Sequence, residues 1–365
     1  MRPASTPQSG FAEKFLAVVD EGRRTATYKL ALLLALVDGV AEGVDELGET
    51  STALHSRQVA RSVARLYWPQ LRAFPADRGP IDLRQITNKQ ATILTALTRA
   101  RAAVPVRTWD EAEVSRPEDA ADALDIVEVT VARYPILRLQ TIDGTPSPFI
   151  YDVDWNDAVT LTALHRDGGG QVVFRPGAAA QLIRLAPLIR PLVELHWVRM
   201  VAQLNRLTPV EDDLRRHLFG ADRVAFPVAL RNGLRELQRG DCFYCHKPVT
   251  TAAAVDHFLP WSRWPNDALE NLVLAHDRCN GKKSDHVPGL IPLRSWGRRL
   301  GDHGVDLAEL AVLTGASFRP ARTLAMARSL YGYLTPGAPL WDGPGLVSHV
   351  HDPADLLHVL AGLDP

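Results

Sequence analysis

The sequence predicts a mainly α fold with a small β element, and three observations carry that reading. Apolar residues recur at helical i, i+3, i+4 spacing through most of the first 230 residues. Short, partly alternating apolar runs are confined to residues 136–174, around an Asp143-Gly144 turn signal. All three cysteines fall in one stretch, residues 242–288, at a spacing that suits a metal site rather than a disulfide framework.

From the N-terminal end, residues 1–8 are rich in Pro, Ser and Thr and are expected to form a disordered tail. Phe11, Phe15, Val18 and Val19 then mark a first helix, which Gly22 is expected to close. Residues 27–40 form a second, strongly apolar helix. Val59, Val63, Leu66 and Tyr67 mark a third, stopped by Pro69. A fourth spans residues 85–103 with Ile93, Leu94 and Leu97 inward. Ser115-Arg116-Pro117-Glu118 reads as a capped start with an early proline for a fifth helix reaching Arg133.

Residues 136–142 and 149–153 suggest a hairpin or paired strands, and residues 171–174 a further strand. Residues 178–207 are helical but contain Pro187 and Pro191, so a kink or a break is expected. Helices over 211–219 and 227–237 lead into the cysteine stretch. Beyond it, helices are expected over 291–300, 304–314 and 320–334. Pro336, Pro339 and Pro344 then space out a looser tail that ends in a short helix over 353–363 and packs back on the first domain.

Within the cysteine stretch, Cys242 and Cys245 stand as C-x2-C, and His276 and Cys279 follow as H-x2-C. Two such knuckles each aim two ligands at one point and together complete a tetrahedron, which suits structural zinc. Three thiolates and an imidazole match the borderline-soft character of that ion. Between the knuckles lie Asp256-His257-Phe258-Leu259-Pro260 and Glu270-Asn271-Leu272, and the last cysteine opens Cys279-Asn280-Gly281-Lys282-Lys283.

Over residues 235–290 this arrangement resembles the HNH, or ββα-metal, nucleases, whose common form is C-x2-C, D-H-x-x-P, E-N-L and C-x2-C-N-x-x-K. Residues 282–288 are also similar to the same segment in the HNH domain of RNA-guided CRISPR nucleases. His276 replaces a cysteine that many members carry, and Asn280 stands where others have the final histidine of the family's name. The resemblance implies a zinc-stabilised ββα-metal nuclease domain, joined to the α-helical N-terminal domain that the periodicity predicts. It implies His257 as general base, since imidazole titrates near neutral pH. It also implies Asp256 and Asn280 as oxygen ligands of catalytic Mg2+ or Mn2+. Asn271 would fix the His257 ring, and Lys283 would sit near the scissile phosphate. Alone, each of these residues reads as structural: a strand pair, a turn or cap, a solvated lysine face. Trp261 and Trp264 suit core packing better than base stacking.

At 365 residues, 46% hydrophobic and 23% charged, the chain has room for two or three globular domains. A net charge of −1 excludes a global polycation, so DNA contact needs a local basic face. Arg278, Lys282, Lys283, Arg294, Arg298 and Arg299 supply one candidate. Arg231, Arg235 and Arg239 supply another, which a solvated helix face explains equally. The opening MRPASTPQSGF lacks an apolar signal core, and residues 182–204 carry Arg184, Arg190, Glu194 and Arg199. No membrane segment is therefore expected, and cysteines committed to zinc suit a reducing cytoplasm.

The resulting plan is a tail at 1–8, a mostly helical domain with the small β element at 9–230, a nuclease domain at 231–300 and a helical extension at 301–365. The expected activity is metal-dependent hydrolysis of DNA, ahead of RNA. The alternative is a zinc-stabilised nucleic-acid-binding module without cleavage. The helical domain would position DNA, contact a regulatory protein or a second copy of the chain, or hold the nuclease inactive, and the sequence does not choose among these. Ala26-Thr27-Tyr28-Lys29-Leu30-Ala31-Leu32-Leu33 resembles, over eight residues only, leaders of bacterial HNH proteins from defence loci. It serves only to rank anti-phage defence or restriction first among biological roles.

Overall fold

The computed structural model describes residues 8–20, 26–76, 79–87, 91–102, 108–207, 211–219, 226–250 and 253–363. The fold is mainly α with small sheets. The expected tail lies outside these residues except for Gln8, which already begins a helix, and Gly22 lies outside them too. The chain divides into two compact units, one of Met1–Val40 and Ser51–Asp222, the other of Ala41–Thr50 and Arg223–Pro365.

In the first unit, α1 (Gln8–Asp20) precedes α2 (Tyr28–Glu42). From Leu30 to Val37 every side chain of α2 is at most 3% exposed, which is why this helix is apolar all round. Strand β1 (Ala53–His55) runs into α3 (Ser56–Tyr67), and a 3-10 turn over Trp68–Leu71 ends it at Pro69. Strands β2 (Phe74–Ala76) and β3 (Gly79–Ile81) pair antiparallel. The fourth helix, α4 (Thr92–Arg101), is shorter than expected. Gln85 and Ile86 are instead tied to the start of α2, by a Thr27 N–H to Gln85 carbonyl bond of 3.1 Å and an Ala26–Ile86 bridge.

Ser115 is not a cap. It ends a separate helix, α5 (Trp109–Ser115), and its hydroxyl donates back to the Glu111 carbonyl. Helix α6 (Pro117–Val131) starts at the proline and passes into a π turn over Ala132–Ile136 around Pro135. The two apolar runs after it do not pair with each other. The Asp143-Gly144 turn joins β4 (Thr141–Ile142) to β5 (Thr145–Pro146), while β6 (Tyr151–Asp152) pairs with β7 (Gln171–Phe174) in a sheet ordered β1-β7-β6. A short α7 (Leu161–His165) lies between those strands in the chain.

Helix α8 (Ala178–Asn205) continues unbroken through Pro187 and Pro191. A proline inside a helix costs about 3 kcal/mol, so tertiary contacts must offset it. Buried Arg190 pairs with Asp38 on α2, and buried Glu194 takes a 3.1 Å bond from Arg215 on α9 (Glu211–Phe219). Trp197 also donates to Gln85 at 3.0 Å, inside a buried polar knot with Thr27, Tyr67 and Gln70. No described helix is long and apolar enough to cross a membrane.

The second unit opens with α10 (Val228–Leu237). Strands β8 (Ala253–His257) and β9 (Leu272–His276) follow, antiparallel with Asp256 opposite Val273 and His257 opposite Leu272. Helix α11 (Asp277–Lys283) packs on both strands and completes a ββα unit. The helices expected over 291–300 and 304–314 form one element, α12 (Leu290–Thr314), kinked at His303 where φ is −124°. Then come α13 (Pro320–Gly332), a hairpin of β10 (Pro339–Gly343) with β11 (Leu346–His349), and α14 (Pro353–Ala361). The expected loose tail is thus partly a hairpin, and α14 packs on α12 and α13 of its own unit. Phe258 stacks on Trp296 of α12 with centroids 4.8 Å apart, and Trp341 of β10 meets Tyr244 edge-on at 4.8 Å. These aromatic pairs form the core under the ββα unit.

Candidate metal centre and active site

The two knuckles arise from different local structures. Residues 241–248 turn back sharply, with Asp241 bridged to Pro248 and the His246 N–H bonded to the Cys242 carbonyl at 2.9 Å. His246 itself takes φ of +52° to close that turn. The second knuckle is the junction of β9 and α11, with His276 at the strand end and Cys279 in the first turn of the helix. The structure brings Cys242, Cys245, His276 and Cys279 together, their ligand atoms all within 4.8 Å of one another.

The donor set fits a structural metal ion. His276 Nε2 lies 3.2 Å from the Pro248 carbonyl, which accepts only from an N–H, so the ring proton belongs on Nε2. That leaves the Nδ1 lone pair facing Cys245 Sγ at 3.3 Å and Cys279 Sγ at 3.9 Å. The His276 N–H also points at Cys242 Sγ, 3.5 Å away. Burial, then the neighbouring thiols, push the Cys279 thiol up to about 12. A bound cation reverses that effect, because it stabilises the thiolate that crowding disfavours. The cluster can therefore hold structural zinc, and nothing in it is paired as a disulfide.

Asp256 and His257 leave β8 into different surroundings. Buried Asp256 accepts from the Tyr244 hydroxyl and from Lys283 Nζ at 3.1 Å, both on Oδ2. Among the described residues its Oδ1 accepts no hydrogen bond. His257 Nε2 lies 2.7 Å from Asp267 Oδ1, and the ring sits 5.0 Å from Trp261 and 6.0 Å from Phe226. Burial and the Asp256 charge raise Tyr244 well above the usual tyrosine range, so its hydroxyl stays a donor.

Several expectations change once the side chains are placed. Among the described residues, Asn271 makes no hydrogen bond to the His257 ring. Its carboxamide accepts from the Leu259 N–H at 2.8 Å and donates to the carbonyls of Leu259 and Asn266, so it ties the two ends of the loop between β8 and β9. Asn280 lies inside α11, which starts at Asp277, and its side-chain amide makes no hydrogen bond among the described residues.

Lys283 is 1% exposed and faces inward, binding Asp256 and the His257 carbonyl at 2.7 Å. Burial lowers its affinity for a proton, and the Asp256 charge opposes that shift. Arg299 also leaves the expected basic face. It is buried and donates to the carbonyls of Glu270 and Leu272 at 3.2 and 2.9 Å. Arg278, Lys282, Arg294 and Arg298 remain exposed. Arg235 spends one N–H on the Val249 carbonyl. Trp264 is buried beneath Arg322, whose guanidinium lies 4.8 Å from its ring.

Two residues of the site are not singled out by sequence reasoning. Tyr244 sits inside the first knuckle, and its place between two ligands is the one available signal. Asp267 lies in a loop with no periodicity to mark it.

Comparison with known proteins gives two matches. Residues 242–289 match the family described as HNH endonuclease. Residues 9–216 match the family described as Domain of unknown function (DUF8808). No curated protein and no solved structure matches the chain.

Proposed function

We propose that this chain, which belongs to the DUF8808 family and carries an HNH endonuclease segment, is a metal-dependent nuclease that hydrolyses DNA phosphodiester bonds. The observation that carries this reading is the pairing of Asp256 with His257 at the end of β8, beside α11 and Asn280, whose amide makes no hydrogen bond among the described residues. His257 acts as general base on the attacking water. Asp256, through Oδ1, and Asn280 offer oxygen ligands suited to Mg2+ or Mn2+. Such an ion, when bound, stabilises charge on the scissile phosphate and the departing oxygen. Water attack at phosphorus with departure of the 3′ oxygen leaves 5′-phosphate and 3′-hydroxyl ends. Exposed Arg278, Lys282, Arg294 and Arg298 supply sequence-independent phosphate contacts.

One observation favours the second reading, a zinc-stabilised nucleic-acid-binding module without cleavage. Asp256 already has a cationic partner in Lys283, which competes with a metal ion for the carboxylate. Plasmid cleavage with Mg2+ or Mn2+, wild type beside His257→Ala, separates the two. Cutting by wild type alone supports the nuclease. DNA binding without cutting, by both proteins, supports the module. The proposed biological setting is anti-phage defence or restriction, with the helical region as the regulatory part.

A further inference from the structure

We infer that Asp267 is the positioning residue for the base: its carboxylate holds the Nε2–H of His257 and leaves Nδ1 as the nitrogen that meets the attacking water. The catalytic consequence rests on the nuclease reading above, whereas the tautomer is a property of the chain itself. In a neutral imidazole the hydrogen bond at one nitrogen decides which nitrogen carries the proton. At 2.7 Å, the Asp267 carboxylate can only accept from His257 Nε2. Among the described residues, His257 Nδ1 makes no hydrogen bond.

An ion pair on a mobile surface loop would carry little. Asp267 is placed differently. Its neighbours Asn266 and Ala268 are buried, and both are braced. Asn266 donates to Thr323 of α13 at 3.0 Å and accepts from the Ala268 N–H at 3.0 Å. The Asn266 carbonyl takes Asn271 Nδ2 at 3.0 Å, and the Leu269 N–H reaches the Ser317 carbonyl at 2.8 Å. The carboxylate is therefore presented from a fixed backbone. The rings of Trp261 and Phe226 flank the imidazole and limit its rotation.

The test uses full-length protein labelled with 15N-histidine, with the His257 signals assigned by their loss in His257→Ala. Wild type is expected to show His257 as the Nε2–H tautomer. Asp267→Ala should lose that single tautomer and lower kcat by about 10- to 100-fold with KM unchanged. Asp267→Glu should restore part of both. Should Asp267→Ala fail to fold, Asp267→Asn keeps an acceptor oxygen and should retain the tautomer. A single Nε2–H tautomer with wild-type kcat in Asp267→Ala overturns the inference. If wild type cleaves no nucleic acid, the nuclease reading fails, and the tautomer alone decides the role of Asp267.

Discussion

Lys283 Nζ lies 3.1 Å from Asp256 Oδ2 while also binding the His257 carbonyl, so one buried ammonium ties α11 to the strand that carries both candidate catalytic residues. Removing one partner of a buried pair leaves the other uncompensated, at a cost of about 3–5 kcal/mol. Lys283→Met is expected to destabilise the protein by that order in chemical denaturation. Added Mg2+ or Mn2+ should raise its Tm more than that of wild type, because a divalent ion replaces the missing charge. Equal shifts in both proteins would count against a cation site at Asp256.

Asn271→Ala removes the acceptor of the buried Leu259 N–H and frees the loop that carries Asp267. A buried donor left without a partner costs about 1–3 kcal/mol. Denaturation should report that loss, and cleavage should fall further than stability alone explains.

Glu270 is buried, and burial raises its carboxyl above the ordinary 4.5, opposed by Thr323, the Arg319 N–H and Arg322. Between the unfolded and folded values the folded state holds more protons than the unfolded one. The stability from this group is therefore complete below the unfolded value and declines as pH rises through the folded one. Glu270→Gln should flatten that part of the stability–pH curve. A mutant curve parallel to wild type from pH 4.5 upward would contradict this assignment.

One zinc per chain is expected by elemental analysis, and chelation should lower Tm because ligand geometry and folding are coupled. Cys245→Ser should lower the zinc content, since it removes one of the four donors. Unchanged Tm after complete zinc removal would refute a structural role for the cluster.

Much of the second unit is legible in the order of its residues. Cys242, Cys245, His276 and Cys279 can be grouped because the chemistry of a tetrahedral site constrains residue type and spacing together. The helix over residues 27–40 is legible because a continuous apolar run suits a helix buried on every face, and that over 211–219 because Leu214 and Leu218 stand one helical turn apart and are both buried. Proline is a less reliable guide. Pro69 ends a helix, yet Pro187 and Pro191 do not, because Arg190 and Glu194 anchor α8 on both sides of the second proline.

Local spacing and residue chemistry are enough to specify the helical class and to group the four candidate metal ligands, and the Asp256-His257 pair stands out through its resemblance to the HNH nucleases. They do not specify that Lys283 turns inward, that Arg299 leaves the basic face or that Asp267 meets His257. Those outcomes depend on which side chains meet when α11, α12 and the loop before β9 pack on the strands. A side chain's partner across a fold is chosen by packing between segments distant in the chain, and the residues around it carry no record of that choice.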